Sequence, residues 1–205
     1  MGTWHPAPAI EEFVCQLPDG CVAIIDEAYI EFAPRETGWQ MKPDDQRVIR
    51  MRTFSKAHGM AGARVGYAVA NRAVVTGLEK VRNHFGVNRL AQAGALASLT
   101  DTVFIKSVVA EVEKGRADYE RLAADLDMAT VPSATNFVCF DFESGEMAKA
   151  VQQALLERNV FVRMPSIAPQ DRCVRVTIGT TDQRRRFAAV FADVLREVRS
   201  RCGGA

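Results

Sequence analysis

The chain of 205 residues carries little that would commit it to a membrane, a metal or a nucleic acid. No apolar run reaches the roughly 20 residues that span a bilayer. No charged, then apolar, then small-residue leader opens it. Its three histidines (His5, His58, His84) and five cysteines (Cys15, Cys21, Cys139, Cys173, Cys202) share no metal-ligand spacing, so no metal is expected. The cysteine number is odd, as for free thiols in a reducing compartment, which points to the cytoplasm. Lys and Arg number 26 against 25 Asp and Glu, a net charge of +1. That balance favours neither nucleic acid nor a membrane surface as partner. No internal repeat and no low-complexity segment appears. With 48% hydrophobic residues the chain can still bury a sizeable core.

What is present is an alternation of strands and helices, hence an α/β fold. Ile10, Phe13, Val14 and Leu17 recur at helical spacing over 9–17. Pro18-Asp19-Gly20 marks a turn. The unbroken apolar run 21–25 predicts a strand buried on both faces, the parallel-sheet kind. A loop over 31–45 separates it from strands predicted at 48–54 and 64–70. Helices follow over 73–84 and 88–99. Asp101 could cap a third, long one, whose stripe is Ile105, Val109, Val112, Tyr119, Leu122 and Leu126.

Beyond Pro132 the chain reads as a second α/β unit. Strands are predicted at 136–142, 160–163 and 172–178, and a helix at 145–158. Thr180-Thr181-Asp182-Gln183 has capping-box form and opens a last helix to about residue 200. Its apolar face is Phe187, Val190, Phe191, Val194, Leu195 and Val198, and Arg184-Arg185-Arg186 is expected to be a solvated face. A frayed tail, 202–205, ends the chain. The predicted domains are 1–110 and 111–205, divided inside the long helix.

The chemistry concentrates in Thr53-Phe54-Ser55-Lys56-Ala57-His58-Gly59-Met60-Ala61-Gly62-Ala63-Arg64. A lysine here could act as an amine nucleophile on a carbonyl compound. Ser55, Arg64 and loop amides could hold a phosphate. Those needs meet in a pyridoxal-phosphate site. Asp26 ends a strand, where ligands of parallel sheets gather, and could pair a protonated pyridine nitrogen. By itself it reads rather as a helix cap or a strand-end ion pair. Tyr29 could donate to the ring oxygen, or simply pack with its hydroxyl at the surface. In Val174-Arg175-Val176-Thr177-Ile178, Arg175 faces away from the valines. It could fork onto a substrate carboxylate, or pair with an internal one. Gly59, Gly62 and Gly66 lack the G-x-G-x-x-G spacing and precede a strand, which argues against a dinucleotide fingerprint.

Together these motifs resemble fold-type I pyridoxal-phosphate aminotransferases, and within them the histidinol-phosphate aminotransferase group. The resemblance is carried by Ile25-Asp26-Glu27-Ala28-Tyr29, by Thr53 through Tyr67, and by Val174 through Thr180. Pro132-Ser133-Ala134-Thr135-Asn136-Phe137 and Val87-Asn88-Arg89 add to it. It implies the C-terminal part of a large domain with a mostly parallel sheet, plus a smaller α/β C-terminal domain. It implies pyridoxal 5'-phosphate held by Lys56 as a Schiff base, Asp26 on the pyridine nitrogen, Tyr29 on the ring oxygen, and Ser55 and Arg64 on the phosphate. Arg175 would grip a substrate carboxylate. Amino transfer between histidinol phosphate, or a related amino acid, and 2-oxoglutarate is the implied reaction, in a homodimer. The family's N-terminal part is expected to be missing. That expectation keeps open a truncated, non-catalytic fragment or assembly partner, beside a phosphothreonine decarboxylase or aromatic aminotransferase relative.

Overall fold

A computed structural model of the chain describes residues 1–202, so of the tail predicted at 202–205, residues 203–205 and the Cys202 side chain lie outside the described residues. The chain divides into two compact units. One, the lysine unit, is Trp4–Val109; the other, the C-terminal unit, joins Met1–Thr3 to Ala110–Ala205.

The lysine unit holds α1 (Ala7–Cys15), β1 (Ala23–Asp26), β2 (Val48–Thr53), β3 (Gly66–Ala70), α2 (Arg72–Val81) and α3 (Arg89–Thr100). The sheet order is β1-β2-β3, with β1 parallel and β3 antiparallel to β2. Among the described residues the sheet is therefore mixed, within the expected α/β class. Register places Ala23, Ile25, Val48, Arg50 and Val69 on one face, and Ile24, Ile49, Met51 and Ala68 on the other. The first face meets α1: Val14 and Trp39 pack on Val48, with Ile10, Leu17 and Ile25 around them. The second face is open, and Ile24 is 67% exposed. The strand expected to be buried on both faces is thus buried on one. An apolar run without alternation reports composition and does not reveal whether a second layer covers it.

Helix starts follow local chemistry. Asn88 Oδ1 accepts Ala91 N–H at 2.8 Å to open α3. Asp101 Oδ1 accepts Phe104 N–H at 2.9 Å to open α4 (Thr102–Asp125), as its side chain suggested. α4 passes from one unit into the other.

In the C-terminal unit β4 (Ala129–Val131), β5 (Phe137–Asp141) and β6 (Cys173–Thr177) form an antiparallel sheet in that order. α5 (Gly145–Glu157) and α6 (Thr181–Cys202) complete it. Val138, Phe140, Val174 and Val176 point to one face, where Tyr119, Leu155, Phe187, Phe191 and Leu195 from α4, α5 and α6 pack on them. β4 is too short to have been foreseen. The strand predicted at 160–163 is reduced to one bridge, Arg163 opposite Arg175. The capping box forms: Thr180 N–H donates to Gln183 Oε1 at 2.9 Å, and Gln183 N–H to Thr180 Oγ1 at 3.4 Å. Arg184 corrects the expected solvated face. It is 3% exposed and donates to Glu111 and Asp118 of α4 and to Gly179 O. The helix phase turns this one arginine of the three inward, toward two carboxylates. No single described helix is long and apolar enough to cross a membrane.

Candidate functional site

Parallel pairing decides what gathers at one edge of the lysine unit's sheet. Asp26, last in β1, lies opposite Met51 of β2. β2 ends at Thr53, and Lys56 follows three residues later. β3 runs back from Gly66 opposite Thr53, so Arg64 belongs to the same edge. Gly66 is needed there, because a Cβ would meet Arg52 O at 2.7 Å. Asp26, Tyr29, Ser55, Lys56 and Arg64 thus share the carboxyl edge of the parallel pair, where α/β sheets bind ligands.

Local bonds fix each side chain. Asp26 is exposed, and its Oδ1 accepts Ala28 N–H at 2.9 Å, turning the chain toward Tyr29. Lys56 Nζ stands 4.9 Å from the centre of the Tyr29 ring, within cation–π range. Among the described residues Lys56 has no carboxylate within ion-pair distance. Ser55 N–H donates to Thr53 Oγ1 at 3.1 Å, and Thr53 Oγ1 donates to Ser55 Oγ at 2.9 Å. Arg64 has a left-handed backbone, φ 53°, and its Nη1 donates to Ala61 O at 2.8 Å. That bond uses one of the five donors a guanidinium carries.

Under this edge lies a cluster that sequence reasoning missed. Glu27 is buried, with Arg50 Nε on Oε1 and Arg52 Nε on Oε2, both at 2.8 Å. Glu27 N–H also donates to Met51 O at 2.9 Å. The signal was two arginines spaced by two in a strand, which period two puts on one face. A guanidinium on each carboxylate oxygen fixes the chain where it leaves β1, directly before Ala28 and Tyr29.

Arg175 belongs to the C-terminal unit. Its neighbours Val174 and Val176 are buried in the core, and Arg175 faces away from them, as the alternation predicts. Its guanidinium stacks 4.7 Å from the centre of the Phe137 ring. Arg163, absent from the expected site, is its cross-strand partner: Arg175 N–H donates to Arg163 O at 2.6 Å, and Arg163 N–H to Arg175 O at 3.1 Å. Residues that exchange both bonds project side chains to one face. The two arginines line a cleft of about 320 Å³ with Met1, Met164, Ser166 and Gln170. Two cations and no lining carboxylate make it suited to an anion. No group of three His, Cys, Asp or Glu among the described residues could hold a metal ion.

Residues 1–191 match the family described as aminotransferase class I and II. Histidinol-phosphate aminotransferase of Bacillus pumilus is 35% identical over 191 residues, covering 92% of this chain and 52% of the relative. Histidinol-phosphate aminotransferase 2 of Pseudomonas aeruginosa is 36% identical over 197 residues, covering 95% of this chain and 53% of the relative. The crystal structure of histidinol-phosphate aminotransferase from Sinorhizobium meliloti in complex with pyridoxal-5'-phosphate superposes with a TM-score of 0.91 at 38% identity. It covers 97% of this chain and 55% of that one. L-threonine-O-3-phosphate decarboxylase of Porphyromonas gingivalis, at 22% identity and a TM-score of 0.75, shares the fold. The chain spans about half the length of the curated relatives it matches.

Proposed function

Because the chain belongs to the aminotransferase class I and II family, we propose that its lysine unit holds pyridoxal 5'-phosphate for amino transfer. The leading substrates are histidinol phosphate, or a related amino acid, and 2-oxoglutarate. One observation carries this: the Lys56 amine stands over the Tyr29 ring at the sheet edge that also bears Asp26. The donor set fits the cofactor. It offers an amine without a carboxylate partner, an exposed strand-end carboxylate, a hydroxyl pair and a guanidinium with donors to spare. When bound, the cofactor supplies an aldehyde for amines and a pyridinium ring that accepts electrons.

The chain's own residues then divide the work. Lys56 Nζ anchors the cofactor and carries the proton to and from the substrate Cα. Asp26 keeps the ring nitrogen protonated, since a carboxylate beside a base favours its charged form. The Tyr29 hydroxyl donates to the ring oxygen. Ser55 Oγ and Arg64 hold the phosphate. Arg175, with Arg163 beside it, forks onto the carboxylate of the amino-group partner. The protein works as a homodimer under this proposal.

The half-length match favours a second reading, in which the chain keeps the lysine motif but does not close a working site. Spectra separate the two. Adding pyridoxal 5'-phosphate to the purified chain should give an absorbance band that borohydride locks onto Lys56, located by peptide mass. Lys56→Ala should abolish it. No band, or one that survives Lys56→Ala, would sink the cofactor proposal for this chain. Bleaching of the band by histidinol phosphate and its return with 2-oxoglutarate tests the substrates. Release of carbon dioxide from phosphothreonine would identify the decarboxylase instead.

A further inference from the structure

Lys56 sits in a turn closed by backbone bonds. Gly59 N–H donates to Lys56 O, and Met60 N–H to Phe54 O, both at 2.9 Å. These bonds shape the turn but do not fix its orientation against Tyr29, which leaves β1 on a different segment. His58, two residues past Lys56, supplies that link. Its side chain is 9% exposed, and its ring lies 4.8 Å from that of Phe54. Nδ1 is 2.7 Å from Ser98 Oγ on α3. Nε2 faces Glu31 Oε1 at 3.9 Å, on the short 3-10 turn Ile30–Phe32 that follows Tyr29.

Glu31 needs such a neighbour. Its Oε2 is buried with no hydrogen-bond partner among the described residues. A carboxylate oxygen left so is costly, and a polar N–H group facing the other oxygen lowers the cost. Burial pushes the Glu31 carboxyl up, while His58 and Arg52 pull it down and Glu27 pushes it further up. The charged groups around His58 are thus Glu31 directly, Arg52 and Glu27 behind it, and Lys56 on its own turn.

We propose that His58 is a positioning residue for Lys56: tied to Ser98 on one side and facing Glu31 on the other, it sets the Lys56 amine over the Tyr29 ring. Three segments meet in this one side chain: the exit from β1, the lysine turn and α3. The functional meaning of the placement rests on Lys56 being the cofactor lysine. The placement itself can be measured without cofactor.

The test labels the lysine amines of the full chain with 13C-methyl groups, assigns the Lys56 signal by its loss in Lys56→Arg, and follows it by NMR. In the wild type the Tyr29 ring should displace it upfield, and Tyr29→Leu should remove the displacement and so identify it. His58→Ala and Ser98→Ala, checked for folding by circular dichroism, should lose the displacement. His58→Asn should keep it, since an amide can still bond Ser98. Capture of pyridoxal 5'-phosphate, read from the Lys56 band, should slow by up to about 100-fold in His58→Ala and little in His58→Asn. If His58→Ala does not fold, Ser98→Ala decides. An unchanged displacement in the folded variants, or His58→Asn behaving as His58→Ala, overturns the proposal. If the displacement depends on His58 but the wild type gives no band, the positioning stands and the cofactor reading fails. If a band forms but the displacement ignores His58, the reverse holds.

Discussion

In the C-terminal unit, the core face of β5 and β6 meets three helices; in the lysine unit, the second face of β1 to β3 leaves Ile24 and Met51 exposed. Phe140, Phe191 and Leu155 are fully buried in the first. In the second, Phe85 (98%) and Leu90 (87%) are exposed as well. Among the described residues, large exposed hydrophobics of the C-terminal unit are limited to Leu156, Phe161 and Ile167. One unit thus closes a hydrophobic core from its own residues. The other has a smaller core around Val14, Trp39 and Val48, beside polar ties: Glu27 between two arginines, Asp45 with Arg47, and His58 with Ser98. The candidate chemistry at Lys56 sits on the less covered of the two.

The largest effect is expected from Phe191→Ala. Phe191 stacks on Phe187 and meets Phe140 at a tilt, each with ring centres 5.0 Å apart. Its loss should lower the stability of the C-terminal unit by about 3–5 kcal/mol. Urea unfolding followed by amide exchange should show the lysine unit unmoved. A fall in both units would mean that they do not stand apart in stability.

Next comes Glu27→Ala, which leaves Arg50 and Arg52 side by side without the carboxylate between them. Because both arginines are partly exposed, the loss should be about 2–3 kcal/mol, confined to the lysine unit. A loss under half a kcal/mol, by the same unfolding assay, would show that the polar ties do not hold this unit.

Glu31→Gln should act in the opposite direction. Burial raises the Glu31 carboxyl above its ordinary value. The folded chain therefore binds that proton more tightly than the unfolded chain. Ionising Glu31 weakens folding fully above the folded pKa and not at all below the unfolded one. Removing the charge should stabilise the lysine unit at pH 7 by under about 1 kcal/mol, solvent screening included. The gain should vanish near pH 4 (about the ordinary carboxylate value). A thermal melt at both pH values checks the sign, and a loss at pH 7 would refute it.

The smallest stability effect is expected at Ile24→Thr and Met51→Thr, each within about 0.5 kcal/mol. Light scattering should nonetheless show less self-association, since an open apolar sheet face is a contact surface. A large destabilisation would reveal packing on that face.

How far the sequence spoke follows the same divide. Arg175 was legible because its strand alternates between a packed face and an open one. Thr180 and Gln183 were legible because a capping box is local. Asp26, Tyr29 and Lys56 stood out because strand ends and loops place them, whatever covers the sheet. Ile24 was misjudged because an apolar residue reads the same with or without a layer above it. Arg184 was misjudged because three adjacent arginines hide which one the helix turns inward. Arg163 went unnoticed because its meaning lies in Arg175, twelve residues away and across a bridge. His58 is two residues from Lys56 in the chain, but its partner Ser98 is forty residues further on, and nothing local points to it.

Met1–Thr3 belongs to the C-terminal unit, although the chain reaches that unit again only at Ala110. Gly2 O accepts Ala134 N–H at 2.8 Å, and Gly2 has φ +98° with Ser133 Oγ 2.8 Å from where a Cβ would be. Topologically the lysine unit is a loop of 106 residues, Trp4–Val109, spliced into its neighbour. Pull on residues 1 and 202, and the load path runs through the C-terminal unit alone until that three-residue strap peels away. Until it does, the lysine and its neighbours are outside the line of force, sheltered by connectivity where they are not sheltered by packing.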